Sequence, residues 1–140
     1  YELDSVQLQG SESPVMIDNL RRTLDPDICK GVRIIKTLNV ANIDDLKSSR
    51  QYSDHADMLV FNMKSDGMEG ALSCSGFELL DEYDGGLPFL VGGIAMEDLD
   101  DLKAISNPCF AGVDLNEGFE TEPGVKDISK LKDFISLLRK

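Results

Sequence analysis

The 140-residue chain suits one domain, taken as residues 1–140, and its 41% hydrophobic and 29% charged residues are ordinary for a globular protein. A net charge of −12, with 26 acidic against 14 basic side chains, excludes a nucleic-acid binder, which needs clustered Lys and Arg. No apolar run nears the roughly 20 residues of a membrane span, and no basic-then-apolar secretory leader precedes the first strand.

In chain order, Val6-Gln7-Leu8 reads as a short strand. Ser13-Pro14 then supplies a helix cap and a proline at the first helical position, followed by Met16, Ile17, Leu20 and Leu24 at helical spacing until Asp25-Pro26-Asp27. Gly31 to Leu38 is a second strand, rich in β-branched residues. Asn42 caps a second helix carrying Ile43 and Leu46, with Tyr52 later on the same face. Met58 to Phe61 forms a third strand ending at Asn62. After a glycine-containing loop, Phe77 to Tyr83 reads as a short helix. Pro88 to Val91 is a fourth strand closed by Gly92-Gly93, and Met96, Leu99, Leu102 and Ile105 make a helical stripe. Phe110 to Leu115 is a fifth strand. Asp127 caps a last helix with Ile128, Leu131, Phe134, Ile135 and Leu138.

Strands that alternate with helices imply about five βα units and a parallel sheet in an α/β fold. The strands are apolar on both faces, as buried parallel strands are. Cys29, Cys74 and Cys109 are odd in number and widely spaced, and His55 is the only histidine, read as a surface residue. This pattern gives no metal site, calls for no cofactor, and suits a reducing intracellular compartment, the cytoplasm or an organelle matrix or stroma. The first residue is Tyr1 rather than Met, which reads as a processed product or part of something longer.

Several segments in order resemble one family. Val6-Gln7-Leu8-Gln9-Gly10 is similar to the strand that opens the fourth βα unit of phosphoribosylanthranilate isomerases, and Ile34-Ile35-Lys36 to their fifth strand. Ala56 to Asn62 resembles the sixth, Gly67-Met68-Glu69-Gly70 the loop after it, and Val91-Gly92-Gly93-Ile94 the end of the seventh. Gly112-Val113-Asp114, Gly118-Phe119-Glu120-Thr121 and Pro123 to Asp127 resemble the eighth unit, the longest and most specific match. The resemblance covers nearly the whole chain and implies strands four to eight of a (β/α)₈ TIM barrel, whose sites lie at the C-terminal ends of the strands.

In that family a carboxylic acid after strand six protonates the sugar ring oxygen, and a Cys after strand one removes a proton from the neighbouring carbon. The first position is held here by Asn62, which has no proton to give, and the second has no counterpart in the sequence. The lengthened loop from Lys64 to Gly70 is not expected to shape the family cavity. The resemblance also implies a vestigial phosphate and substrate site: Gly92, Gly93, Asp114, Asn116, Glu117, Gly118, Glu120, Gln9 and Lys36. Asn116 and Glu117 stand where the family has paired serines, and the Glu117 carboxylate should repel phosphate. Lys36 is expected to turn into the barrel beside an anionic partner. The inward faces of Ile34, Leu59, Phe61, Leu90 and Val113 are expected to lack an opposite wall.

These residues lead to a degenerate, non-catalytic structural or interaction subunit, with another protein chain over the open side of the partial barrel. The alternatives are an isomerase of tryptophan biosynthesis completed by N-terminal strands outside this sequence, or a small-anion binder without chemistry, which saturable binding of a phosphosugar would favour.

Overall fold

The computed structural model describes residues 3–25, 28, 30–63 and 76–140. Strand β1 (Ser5–Leu8) leads to helix α1 (Pro14–Leu24), β2 (Arg33–Asn39), α2 (Ile43–Ser48) and β3 (Met58–Asn62). Then come β4 (Phe89–Gly92), α3 (Leu99–Ala104), β5 (Phe110–Val113), β6 (Glu120–Glu122), β7 (Val125–Lys126) and α4 (Ile128–Leu138). Short 3₁₀ turns at Ser49–Tyr52, Phe77–Glu82, Met96–Asp98 and Glu117–Phe119 join them. The Phe77 stretch, expected as a helix, is thus 3₁₀, and the β6–β7 hairpin was not expected.

The caps explain where the helices begin. Ser13 Oγ accepts the Met16 N–H at 3.3 Å, ahead of Pro14 at the first turn. Asn42 Oδ1 accepts the Asp44 and Asp45 N–H groups at 2.9 and 3.0 Å, while Asp45 reaches back to the Asn42 N–H, a reciprocal capping box. Asp127 takes the Lys130 N–H at 3.0 Å.

Strands β1 to β5 form one parallel sheet in the order β1-β2-β3-β4-β5. Its register sorts the side chains into two faces. Leu8, Lys36, Leu59, Phe89 and Phe110 form one row, and Leu38, Phe61, Val91 and Val113 the next. These rows face the helices and join Ile17, Leu46, Leu102 and Phe134 in the core, where Phe61, Tyr83 and Phe89 meet with ring centroids 5.1 to 5.2 Å apart. The opposite face carries Gln7, Ile35 and Met58, then Thr37, Val60, Leu90 and Gly112, then Asn39, Asn62 and Gly92.

Two expectations are corrected here. Ile34, Leu59, Phe61 and Val113 belong to the helix-facing layer, and of the five residues expected inward only Leu90 faces the other way. Lys36 also points to the helix layer. It is 1% exposed, and its Nζ donates to Gly10 O at 2.6 Å and Glu12 Oε2 at 2.9 Å, 5.8 Å from the centre of the Tyr52 ring. Strand β2 carries polar residues on both faces, Lys36 on one and Thr37 and Asn39 on the other, so the pattern does not reveal which face Lys36 shares.

His55 is half-buried rather than a free surface residue, with Nδ1 2.8 Å from Asp18 Oδ1. Beside it Arg21 donates to Val32 O, His55 O and Asp57 Oδ2, and Asp57 Oδ2 also accepts the Ile34 N–H at 2.7 Å. This network fastens α1 to the N-terminal end of the sheet. Cys29, Cys74 and the Lys64–Gly70 loop lie outside the described residues, and no helix among those described is long and apolar enough to cross a membrane.

Candidate active site at the C-terminal rim of the sheet

Two loops, one after β4 and one after β5, build the rim through close backbone approach. Gly93 has φ +69°, a conformation that favours glycine. A Cβ at Gly118 would lie 2.3 Å from Ile94 O, a backbone atom that cannot swing aside. Glycine at 118 therefore lets the second loop rest on the first. A Cβ at Gly92 would lie 3.3 Å from Val60 Cγ1 and 3.7 Å from Asp114 Oδ2, so the Asp114 carboxylate leans over the end of β4.

The second loop is held from below and behind. Phe119 is fully buried and meets the Phe134 ring of α4 edge-on, with centroids 4.8 Å apart. Lys130, also on α4, donates to Gly118 O at 2.8 Å and sits 5.4 Å from the centre of the Phe119 ring. From β7, the Lys126 ammonium donates to Asn116 Oδ1 at 2.5 Å and to the Glu120 carboxylate. The other Glu120 oxygen accepts the Gly124 N–H at 3.0 Å in the hairpin turn. The Lys126 hydrogen bond first, and the Gly124 N–H second, hold the Glu120 carboxyl below its usual range.

The result is a cleft of about 470 Å³. Gln7, Gln9 and Thr37 form one side, with Gln7 Nε2 donating to Thr37 Oγ1 at 3.0 Å. Val60 and Asn62 form the floor, where Asn62 Nδ2 donates to Asn39 Oδ1 at 3.0 Å. Gly92, Gly93, Ile94, Asp114, Asn116, Glu117 and Gly118 close the far side. Among the described residues, the lining holds two ionisable groups, Asp114 and the exposed Glu117.

Of the site residues expected from the sequence, Gln9, Asn62, Gly92, Gly93, Asp114, Asn116, Glu117 and Gly118 come together around this cleft. Lys36 and Glu120 do not. Lys36 lies behind the sheet on Glu12, and Glu120 is spent on Lys126 and the hairpin turn. Sequence reasoning missed Gln7, Thr37, Val60 and Ile94. Gln7 and Val60 could have been found by stepping back two residues from Gln9 and Asn62, because alternate strand residues share a face.

Comparison with known proteins bears on all of this geometry. A family model described as N-(5'-phosphoribosyl)anthranilate isomerase matches residues 1–137. A relative of that name from Parabacteroides distasonis is 38% identical over 136 residues, which are 96% of this chain and 58% of the relative. Another, from Phocaeicola vulgatus, is 31% identical over 140 residues, covering 99% of this chain and 65% of the relative. The crystal structure of the isomerase from Thermotoga maritima superposes with a TM-score of 0.74 at 26% identity, covering 98% of this chain and 62% of that one. The five βα units thus correspond to part of a TIM barrel, and the chain spans about six tenths of the length of the relatives it matches.

These matches overturn the expectation of a degenerate, non-catalytic structural or interaction subunit, since relatives named for the isomerase cover nearly every residue. The missing first-strand Cys had weighed heavily in that expectation, yet the chain spans only 58% and 65% of these two relatives. The chain belongs to the N-(5'-phosphoribosyl)anthranilate isomerase family.

Proposed function

We propose that this chain forms the C-terminal five βα units of a phosphoribosylanthranilate isomerase of tryptophan biosynthesis, working once further strands close the barrel. The observation that carries the reading is the 470 Å³ cleft between the two glycine-built loops, at the strand ends where barrel enzymes hold phosphate and do chemistry.

The Amadori rearrangement begins when the ring oxygen of the aminoribose takes a proton and the ring opens. Loss of a proton from the neighbouring carbon then yields the aminoketone. Asn62 can hydrogen-bond to the substrate but has no proton to give at neutral pH. We assign proton delivery to Asp114, which reaches over Gly92, the register partner of Asn62. Glu117, the other ionisable group of the lining, is exposed at the outer edge. The proton-abstracting group then comes from the strands that complete the barrel.

The test is turnover of phosphoribosylanthranilate by the intact protein. We expect Asp114→Asn to lower kcat by about a hundredfold or more, in keeping with a general acid, with little change in KM. Asn62→Asp should keep or raise turnover. Absence of turnover by the folded, unmodified protein would refute the isomerase reading. Full activity in Asp114→Asn would refute the assignment of the proton donor alone.

A further inference from the structure

Behind the cleft, Lys126 makes a contact that determines which end of Asn116 the substrate meets. An ammonium group has three donors and no acceptor, so it can face only the carbonyl oxygen of an amide. Lys126 Nζ lies 2.5 Å from Asn116 Oδ1. It is itself anchored by the Glu120 carboxylate, which the Gly124 N–H holds from the other side. With its oxygen fixed this way, the Asn116 amide has one orientation, and its NH₂ is the end left for the cleft that Asn116 lines.

The orientation matters because Asn116 stands where the family resemblance has a serine. A hydroxyl rotates to donate wherever an anion sits. A free amide presents either a donor or an acceptor, and the acceptor repels an anion. We propose that Lys126 is a positioning residue that holds the Asn116 amide with its NH₂ toward the cleft, making Asn116 a donor to the phosphate of a phosphosugar. This rests on the isomerase reading, but it concerns ligand binding and not turnover.

Calorimetric titration of the intact protein with ribose 5-phosphate, and separately with inorganic phosphate, tests it. Asn116→Asp keeps the shape and the Lys126 bond but replaces the donor with an oxygen. It should weaken binding by about tenfold or more without lowering the melting temperature. Lys126→Met should weaken binding by about tenfold in the parent. In an Asn116→Ser background, where a hydroxyl orients itself, the same change should have little effect, and this dependence separates positioning from a merely structural role. Equal losses from Lys126→Met in both backgrounds would overturn the proposal, as would undiminished binding by Asn116→Asp. If the unmodified protein turns over substrate yet binds neither probe, the proposal fails and the isomerase reading stands. If it shows neither turnover nor binding, both fail.

Discussion

A lysine on a strand of Ile, Thr and Leu has two faces to choose between, and Lys36 takes the one that looks more hostile. It lies among Leu8, Leu59 and Tyr52 on the helix side, where an unpaired ammonium would be prohibitively costly. Gly10 O and Glu12 remove that cost from the loop before α1, and Tyr52 closes the arrangement by donating its hydroxyl to Glu12 O at 3.1 Å. The hydrogen bond from Lys36 is the main reason that the Glu12 carboxyl is held below its ordinary value of 4.5. A carboxylate whose folded pKa is depressed stabilises the fold above its unfolded pKa, and the contribution fades as pH falls through the folded value. Glu12→Gln should therefore cost roughly 1 kcal/mol at pH 7, a value limited by the partial exposure of Glu12. Its difference from the parent should shrink as pH falls below the ordinary value of 4.5. Urea unfolding of both proteins at a series of pH values from 7 downward checks this, and a difference that stays constant over the whole series would rule out the ionic contribution. The sequence told that Lys36 needed an anion. It did not tell which face, because β2 carries polar residues on both, Lys36 on one and Thr37 and Asn39 on the other.

At the scale of elements, local chemistry announced most boundaries. Ser13-Pro14, Asn42 and Asp127 cap the helices at the expected places, and the apolar runs became β1 to β5. Pro123-Gly124 was a turn signal that went unused, and the β6–β7 hairpin forms around it with Gly124 at φ +83°. That hairpin places Lys126 behind the cleft, so overlooking it also hid the support for Asn116. The contact between the two rim loops could not be read from sequence at all, since it joins residues far apart in the chain through a missing side chain. Gly118→Ala should force the loops apart, because its Cβ would lie 2.3 Å from Ile94 O. We expect a loss of roughly 1–3 kcal/mol in stability, typical of overpacking, together with weaker ribose phosphate binding. Unfolding and titration of the variant measure both, and unchanged values would mean that the loops are not locked at this point.

Across the whole molecule, the sheet has five parallel strands with β1 and β5 at its edges, and no other described strand pairs with either. The face away from the helices carries Ile35, Met58 and Leu90, each partly exposed. Open edges and such a face invite a covering layer. In the matched relatives, the part that this chain does not span is large enough to supply it. The sequence made the βα order and the barrel class legible through repeated apolar runs. It misled on function because Asn62 and the missing first-strand Cys were weighed against a match along the whole chain. The most direct measurement compares isomerase activity of the 140-residue chain alone with activity after the unmatched part of the Parabacteroides distasonis relative is joined to its N-terminus. The chain alone is expected to be associated or to bind a hydrophobic dye and to be inactive, and the joined protein to be a monodisperse, active isomerase. A monodisperse, dye-silent chain that melts cooperatively on its own, or a well-folded joined protein without turnover, would contradict that expectation.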